Sequence, residues 1–162
     1  MSVASGKLKV VDFFTPYNYA YLDRKDLDYG TDGALLIPNT TLFLSGSKAS
    51  VLYLVDNSRI GGIAANNTNV KEEITLNADD GSKHLHGSPV YFKSSTGKEY
   101  IYCWAEDSLM HQVSFLRSQQ YLDTANTLYA PSKLPTGMPG AMLSLSSNDT
   151  RQVRASYGHR TR

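Results

Sequence analysis

Three groups of side chains in this sequence have the types and spacing to do chemistry. The run Asp26-Leu-Asp28-Tyr-Gly-Thr-Asp32-Gly puts carboxylates at positions 1, 3 and 7 of a loop with glycine at position 5, an arrangement that gathers oxygen ligands for calcium. It lacks the bidentate glutamate that closes such loops at position 12. Aspartates ahead of a strand also accept backbone amides in tight turns, which is the simpler reading of all three. His84 and His86 are two residues apart, so in extended backbone both rings project to one side, as a metal site or proton-transfer pair requires. His111, on a neighbouring predicted strand, would extend the pair toward a zinc set. A hydrogen-bonded structural role for His86, just before the turn Gly87-Ser88-Pro89, is the plainer assignment. Trp104, with Tyr100, Tyr102 and Cys103 beside it, would form a platform for a sugar or other flat ligand, or else pack sheet against sheet. Lys48, following Gly46 and Ser47, sets a cation at a turn, facing either a ligand or solvent.

The candidate ligand-binding residues are therefore His86, Trp104 and Lys48, and the candidate metal residues Asp26, Asp28 and Asp32. No catalytic set emerges: there is no phosphate loop, nucleophile elbow or paired zinc motif. Cys103 has no base placed beside it and reads as a small buried hydrophobe.

The elements that must position these residues are strands. Short clusters of Val, Ile, Leu, Tyr and Phe alternate with Gly, Asn, Asp, Ser and Pro, the pattern of an all-β chain. Strands are predicted over 8–14, 34–38, 41–46, 51–56, 72–76, 89–93, 99–105, 109–115 and 141–146. Only 19–27 and 115–122 offer a helical turn or two. The chain also repeats itself: Gly33-Ala-Leu-Leu-Ile-Pro, Gly87-Ser-Pro-Val-Tyr-Phe and Gly140-Ala-Met-Leu-Ser-Leu recur at intervals of 54 and 53 residues. That period is close to the roughly 40 to 50 residues of common propeller repeats. Each start leads into two further apolar strands and a more polar fourth, near 72–76 and 121–128. The expected architecture is a partial β-propeller of about two four-stranded antiparallel blades, 33–86 and 87–139, with a third blade starting at 140 and strands of flanking blades at the ends.

Bulk properties narrow the partners. With 162 residues, 41% hydrophobic and 19% charged, the chain is large enough for an ordinary core. Sixteen basic residues against 15 acidic leave a formal net charge of +1, which argues against a nucleic-acid or anionic-membrane partner. One cysteine excludes an internal disulfide. No apolar run approaches the roughly 20 residues of a membrane span, and the first residues do not form a signal peptide.

Several segments taken together carry a family resemblance: Val11-Asp-Phe-Phe-Thr-Pro-Tyr-Asn, Asp26-Leu-Asp-Tyr-Gly, Gly33-Ala-Leu-Leu-Ile-Pro, Val51-Leu-Tyr-Leu-Val-Asp, His86-Gly-Ser-Pro-Val-Tyr and Gly137-Met-Pro-Gly-Ala-Met-Leu-Ser-Leu-Ser. In this order, over about 8–148, they resemble the quinoprotein-like (pyrroloquinoline-quinone repeat) propeller proteins. The resemblance implies a propeller, commonly in a longer secreted or periplasmic protein, and a distant kinship with alcohol dehydrogenases that use pyrroloquinoline quinone and calcium. Those enzymes need a base carboxylate, a calcium site, often a vicinal disulfide, and a tryptophan floor; this chain has one cysteine and one tryptophan. Catalysis is not carried over, and calcium or the quinone enters as a cofactor only through that kinship.

The last 14 residues depart from the pattern, with four arginines where an apolar strand is due. They read as a basic, disordered tail over 149–162, from a truncated or frame-shifted gene product or as a contact for acidic surfaces. The function expected is a non-catalytic propeller module, or a remnant of one, that binds a small ligand or protein through loops at the channel mouth. A quinoprotein-like oxidoreductase fragment is the first alternative. The second is a structural role in which open blade faces drive self-association.

Overall fold

The computed structural model of the chain describes residues 2–4, 6–76, 83–133, 137–147 and 153–157. In chain order it contains β1 (Ser2–Ala4), β2 (Lys7–Lys9), α1 (Tyr19–Arg24), β3 (Tyr29–Leu36), β4 (Leu42–Ser47), β5 (Val51–Asp56), a 3-10 turn (Ala65–Asn67), β6 (Val70–Thr75), β7 (Val90–Lys93), β8 (Glu99–Cys103), β9 (Leu109–Leu116), β10 (Tyr121–Lys133), β11 (Leu143–Ser147) and β12 (Val153–Tyr157). The protein is all-β, as its composition predicts. Strands β3 to β6 form one four-stranded antiparallel sheet and β7 to β10 another, each strand beside its chain neighbour; β1–β2 and β11–β12 are two-stranded.

Alternation along the strands decides which face is buried. Leu44 lies opposite Leu35 and Leu54, and Leu52 opposite Ile74, so these side chains share one face of the first sheet. In the second sheet Ile101 lies opposite Tyr91 and Val113, and Phe115 opposite Leu122. Both faces meet in a single apolar cluster that also takes in Ile37, Leu42, Leu76, Leu85, Cys103 and Ala105. Burying each of its larger side chains is worth about 1.5 to 3 kcal/mol. The opposite face of the first sheet carries Tyr53 and Val55, covered by Phe14 with Tyr29, Phe43, Ile60 and Val70 around them. The rings of Phe14, Tyr29 and Tyr53 stand 5.2 to 5.6 Å apart, two of the three pairs edge to face.

Polar ties fix the two sheets at the end away from the chemistry-bearing residues. Arg117, after β9, grips buried Glu99 with two bonds of 2.6 Å and also donates to the carbonyls of Pro38 (2.9 Å) and Asn39 (3.3 Å) in the turn between β3 and β4. The guanidinium holds the Glu99 carboxyl below the usual carboxylate range. Glu72 on β6 accepts the amide of Leu122 on β10 at 2.8 Å.

The strand predicted over 51–56 coincides with β5, and those over 99–105 and 109–115 share their starts with β8 and β9. The one over 8–14 ends early, at Lys9. Asp12 accepts the amides of Phe13 and Gly61, turning the chain so that Phe14 enters the core through a single parallel bridge to Gly62. Of the two helical options, 19–27 yields the six residues of α1, whereas 115–122 runs from strand through a turn to strand. Of the basic tail expected over 149–162, only Val153–Tyr157 falls among the described residues, and it pairs with Leu143–Ser147. Among the described residues no helix is long and apolar enough to cross a membrane.

The sequence repeat has a spatial counterpart at its glycines. A β-carbon on Gly33 would lie 2.9 Å from the hydroxyl of Ser88, and one on Gly87 would fall on the carbonyl oxygen of Ala141. Each repeat's glycine thus lies against the residue that follows the next repeat's glycine. Because the obstacle at position 87 is backbone, Gly87→Ala is expected to lower unfolding free energy by about 3 kcal/mol, read by urea denaturation. A change below about 0.5 kcal/mol would show that the 140–142 segment is not held against Gly87 in solution.

Candidate functional site

The antiparallel meanders bring one set of connections to the same end: the segment before β3, the β4–β5 turn, the segment 83–89 between the sheets, and the turn 104–108 between β8 and β9. Two of them are stitched alike. The Lys48 amide donates to the Asp28 carbonyl at 2.9 Å, and the Glu106 amide donates to the His84 carbonyl at 3.0 Å. In each sheet the lead-in to the first strand is therefore bonded to the turn between the second and third.

What the side chains do at these two matching ties differs. At the first, the Lys48 ammonium lies 2.7 Å from Asp28 and 3.2 Å from Asp26. The Asp28 hydrogen bond is the main reason that the Lys48 pKa is raised. Asp32 does not join them: it is buried, and its Oδ1 accepts the Gly46 amide at 2.7 Å. The structure does not bring the three aspartates together: Lys48 sits between Asp26 and Asp28, and Asp32 faces the interior.

At the second tie, Leu85 sets the arrangement. Its side chain is fully buried, filling space that Gly46 leaves open; a β-carbon at Gly46 would lie 2.7 Å from Leu85 Cδ2. The segment is held by Thr31 Oγ1, which donates to the Leu85 carbonyl at 2.8 Å, and by hydroxyl bonds from Ser50 to the Lys83 carbonyl and from Ser88 to the Asp32 carbonyl. With Leu85 committed inward, His84 and His86 turn the other way, their ring centroids 5.6 Å apart. Both face Glu106, whose carboxylate is 5% exposed: His86 Nε2 lies 3.8 Å from Oε1, and His84 Nδ1 lies 4.0 Å from Oε2. Glu106 Oε2 also accepts the His84 amide at 3.2 Å.

These separations are too long for hydrogen bonds. His84 Nδ1, His86 Nε2 and Glu106 Oε1 are all buried and without a hydrogen-bond partner. An unsatisfied buried polar group costs about 1 to 3 kcal/mol, and three such atoms lie at this one point. Among the described residues this is the trio whose metal-ligating atoms lie within 4.8 Å of one another. Burial holds the His86 pKa below the ordinary imidazole value; Glu106 pulls the other way, and the nearby charges of His84 and Lys48 add to the lowering.

Sequence reasoning identified the histidine pair and its common side but not Glu106, the residue that makes it a site. His111 stays apart: its ring nitrogens face the carbonyls of Leu109 (2.9 Å) and Leu76 (3.1 Å). Trp104 is half-buried on the same turn as Glu106 and donates its indole N–H to the Ser108 carbonyl at 2.8 Å. Cys103 is buried, and desolvation pushes its thiol up to about 12, far from nucleophilic use at neutral pH. Comparison with protein-family models, with curated proteins and with solved structures finds no match to this chain.

Asp32, buried beside Gly46, makes the stability of the first sheet sensitive to pH. Burial raises its carboxyl from 3.8 to about 6, against the opposing pull of the Gly46 amide. A raised folded-state value means that stability is fully present below pH 4 and falls as pH rises toward 6 and beyond, by about 3 kcal/mol for this one group. Asp32→Asn keeps an oxygen for Gly46 and removes the titration. The variant's stability relative to the parent is expected to improve by about that amount between pH 4 and pH 7, measured by denaturant unfolding at both. Parallel pH profiles would show that Asp32 titrates at its ordinary value.

Proposed function

We propose that the chain contributes two blades, and the beginning of a third, to a β-propeller, and that it serves as a non-catalytic module binding a small ligand or protein segment at the end where 26–28, 47–50, 83–88 and 104–108 converge. The observation that carries this reading is the doubled tie. Two four-stranded meanders have their lead-ins bonded to the same turn in the same way, Asp28 to Lys48 and His84 to Glu106. The glycine contacts, Gly33 to Ser88 and Gly87 to Ala141, repeat from one unit to the next. A repeated step of this kind is what successive blades around an axis require.

Charge, imidazole and aromatic groups collect at that end, whereas the opposite turns are occupied by the Arg117–Glu99 clamp. Lys48, His86 and Trp104 all stand on its connections, near enough for the Lys48 charge to act on His86. The oxidoreductase alternative would draw on Asp26, Asp28 and Asp32, and their present partners do not favour it.

Two measurements test the reading on the purified chain. Amide chemical shifts recorded against mixtures of saccharides and short peptides are expected to move at 26–28, 47–50, 83–88 and 104–108; movement confined to 38–41, 94–98 and 117–120 would overturn it. Addition of pyrroloquinoline quinone and calcium with an alcohol and a reducible dye is expected to give no turnover. Sustained dye reduction would replace the binding module with the oxidoreductase.

A further inference from the structure

We infer that His84, His86 and Glu106 form a binding site for a divalent transition-metal ion of the zinc class, with three protein ligands and one position left for water or another Lewis base. This inference does not depend on the propeller reading. It needs only the segment 83–89 and the turn 104–108, which the backbone bond from Glu106 to His84 and the buried Leu85 side chain hold together.

The donor set and its geometry agree. Two imidazole nitrogens and a carboxylate oxygen are the ligands that zinc takes at open sites, whereas calcium and magnesium prefer oxygen alone. Ligand bonds of about 2.0 to 2.2 Å at tetrahedral angles put donor atoms about 3.4 Å apart. The three donor atoms lie within 4.8 Å of one another, with His86 Nε2 3.8 Å from Glu106 Oε1 and His84 Nδ1 4.0 Å from Oε2, so rotation of the two rings and the carboxylate must draw them inward by up to about 1.4 Å to reach that spacing.

The pattern of satisfaction points the same way. A histidine–glutamate ion pair would close to hydrogen-bond length, yet the His84 and His86 nitrogens and Glu106 Oε1 are all unpartnered, with the glutamate side chain 95% buried. One cation satisfies all three. The carboxylate is held for the purpose, since Oε2 accepts the His84 amide, a bond of the kind that orients metal ligands. The nearby Lys48 ammonium does not oppose a cation in full, because Asp26 and Asp28 pair with it.

Cobalt(II) and zinc(II) are the probes, added to the full chain after treatment with chelator. Cobalt is expected to bind one per chain and give the intense visible bands of four-coordinate nitrogen–oxygen ligation, and zinc to displace it. Zinc is expected to raise the melting temperature and chelator to lower it. His86→Gln and Glu106→Gln are each expected to weaken zinc binding at least about 100-fold, while His111→Gln, at a ring committed to the Leu109 and Leu76 carbonyls, leaves it unchanged. Three results would overturn the site: no stoichiometric cobalt or zinc binding by the parent chain, affinity unchanged in both ligand variants, or octahedral cobalt spectra insensitive to zinc. The cobalt spectrum of the parent chain decides the matter even if a variant fails to fold.

Discussion

The structure depends on one layer of apolar side chains shared by two sheets. A four-stranded antiparallel meander has two faces and can hide only one against its neighbour. Here Leu42, Leu44, Leu52, Leu54 and Ile74 from one sheet and Ile101, Val113, Phe115 and Leu122 from the other spend those faces on each other. The second face of the first sheet needs separate cover, which the chain supplies from its own beginning by driving Phe14 onto Tyr53 and Val55. The polar contacts work within this frame. Arg117 and Glu99 close one end because the layer has already brought the β3–β4 turn under the β9–β10 turn.

The same layer explains how a site arises at the other end. Leu85 is a core residue in a connecting segment, and its side chain reaches the layer only because Gly46 has none. Committing Leu85 inward fixes the sides of its neighbours, since adjacent residues of an extended chain point oppositely. His84 and His86 are aimed by a leucine. Glu106 is brought opposite by a backbone bond whose counterpart in the first sheet joins Lys48 to Asp28. One scaffold thus presents two electrostatically distinct corners: a cation neutralised by two carboxylates, and a carboxylate between two imidazoles.

Much of this was legible in residue order. The run Val51-Leu-Tyr-Leu-Val-Asp between turn residues reads directly as β5, and the alternation of short apolar clusters with turn residues reads as an all-β chain of antiparallel sheets. The His-Leu-His spacing announces a shared side for the rings. What residue order hid was long-range pairing. Glu106 follows Trp104-Ala105 as an acid in a turn, and only the register linking 84 to 106 reveals its role. Likewise Asp26, Asp28 and Asp32 look like one loop, but Lys48, sixteen residues past Asp32, claims the first two while the Gly46 amide claims the third. The strand expected over 8–14 failed for a local reason: the Asp12 side chain offers backbone amides a competing acceptor.

The contrast between the corners bears on function more directly than either does alone. A buried or half-buried charge is tolerated when its partners are supplied by the chain, as at Lys48, where two carboxylates lie within 3.2 Å. Had the second corner served only to hold its loops together, the same solution was open to it: a lysine at 84 or 86 facing Glu106, or rings at hydrogen-bond distance. Instead the backbone bond already holds the loops, and the side chains stand apart with their donor atoms within 4.8 Å of one another. Stability alone does not account for that arrangement, because each unpartnered atom lowers it. A partner from outside the chain does. The chemistry of two imidazoles and a carboxylate selects a borderline cation, and the remaining coordination position is where such an ion would meet whatever the loop end receives.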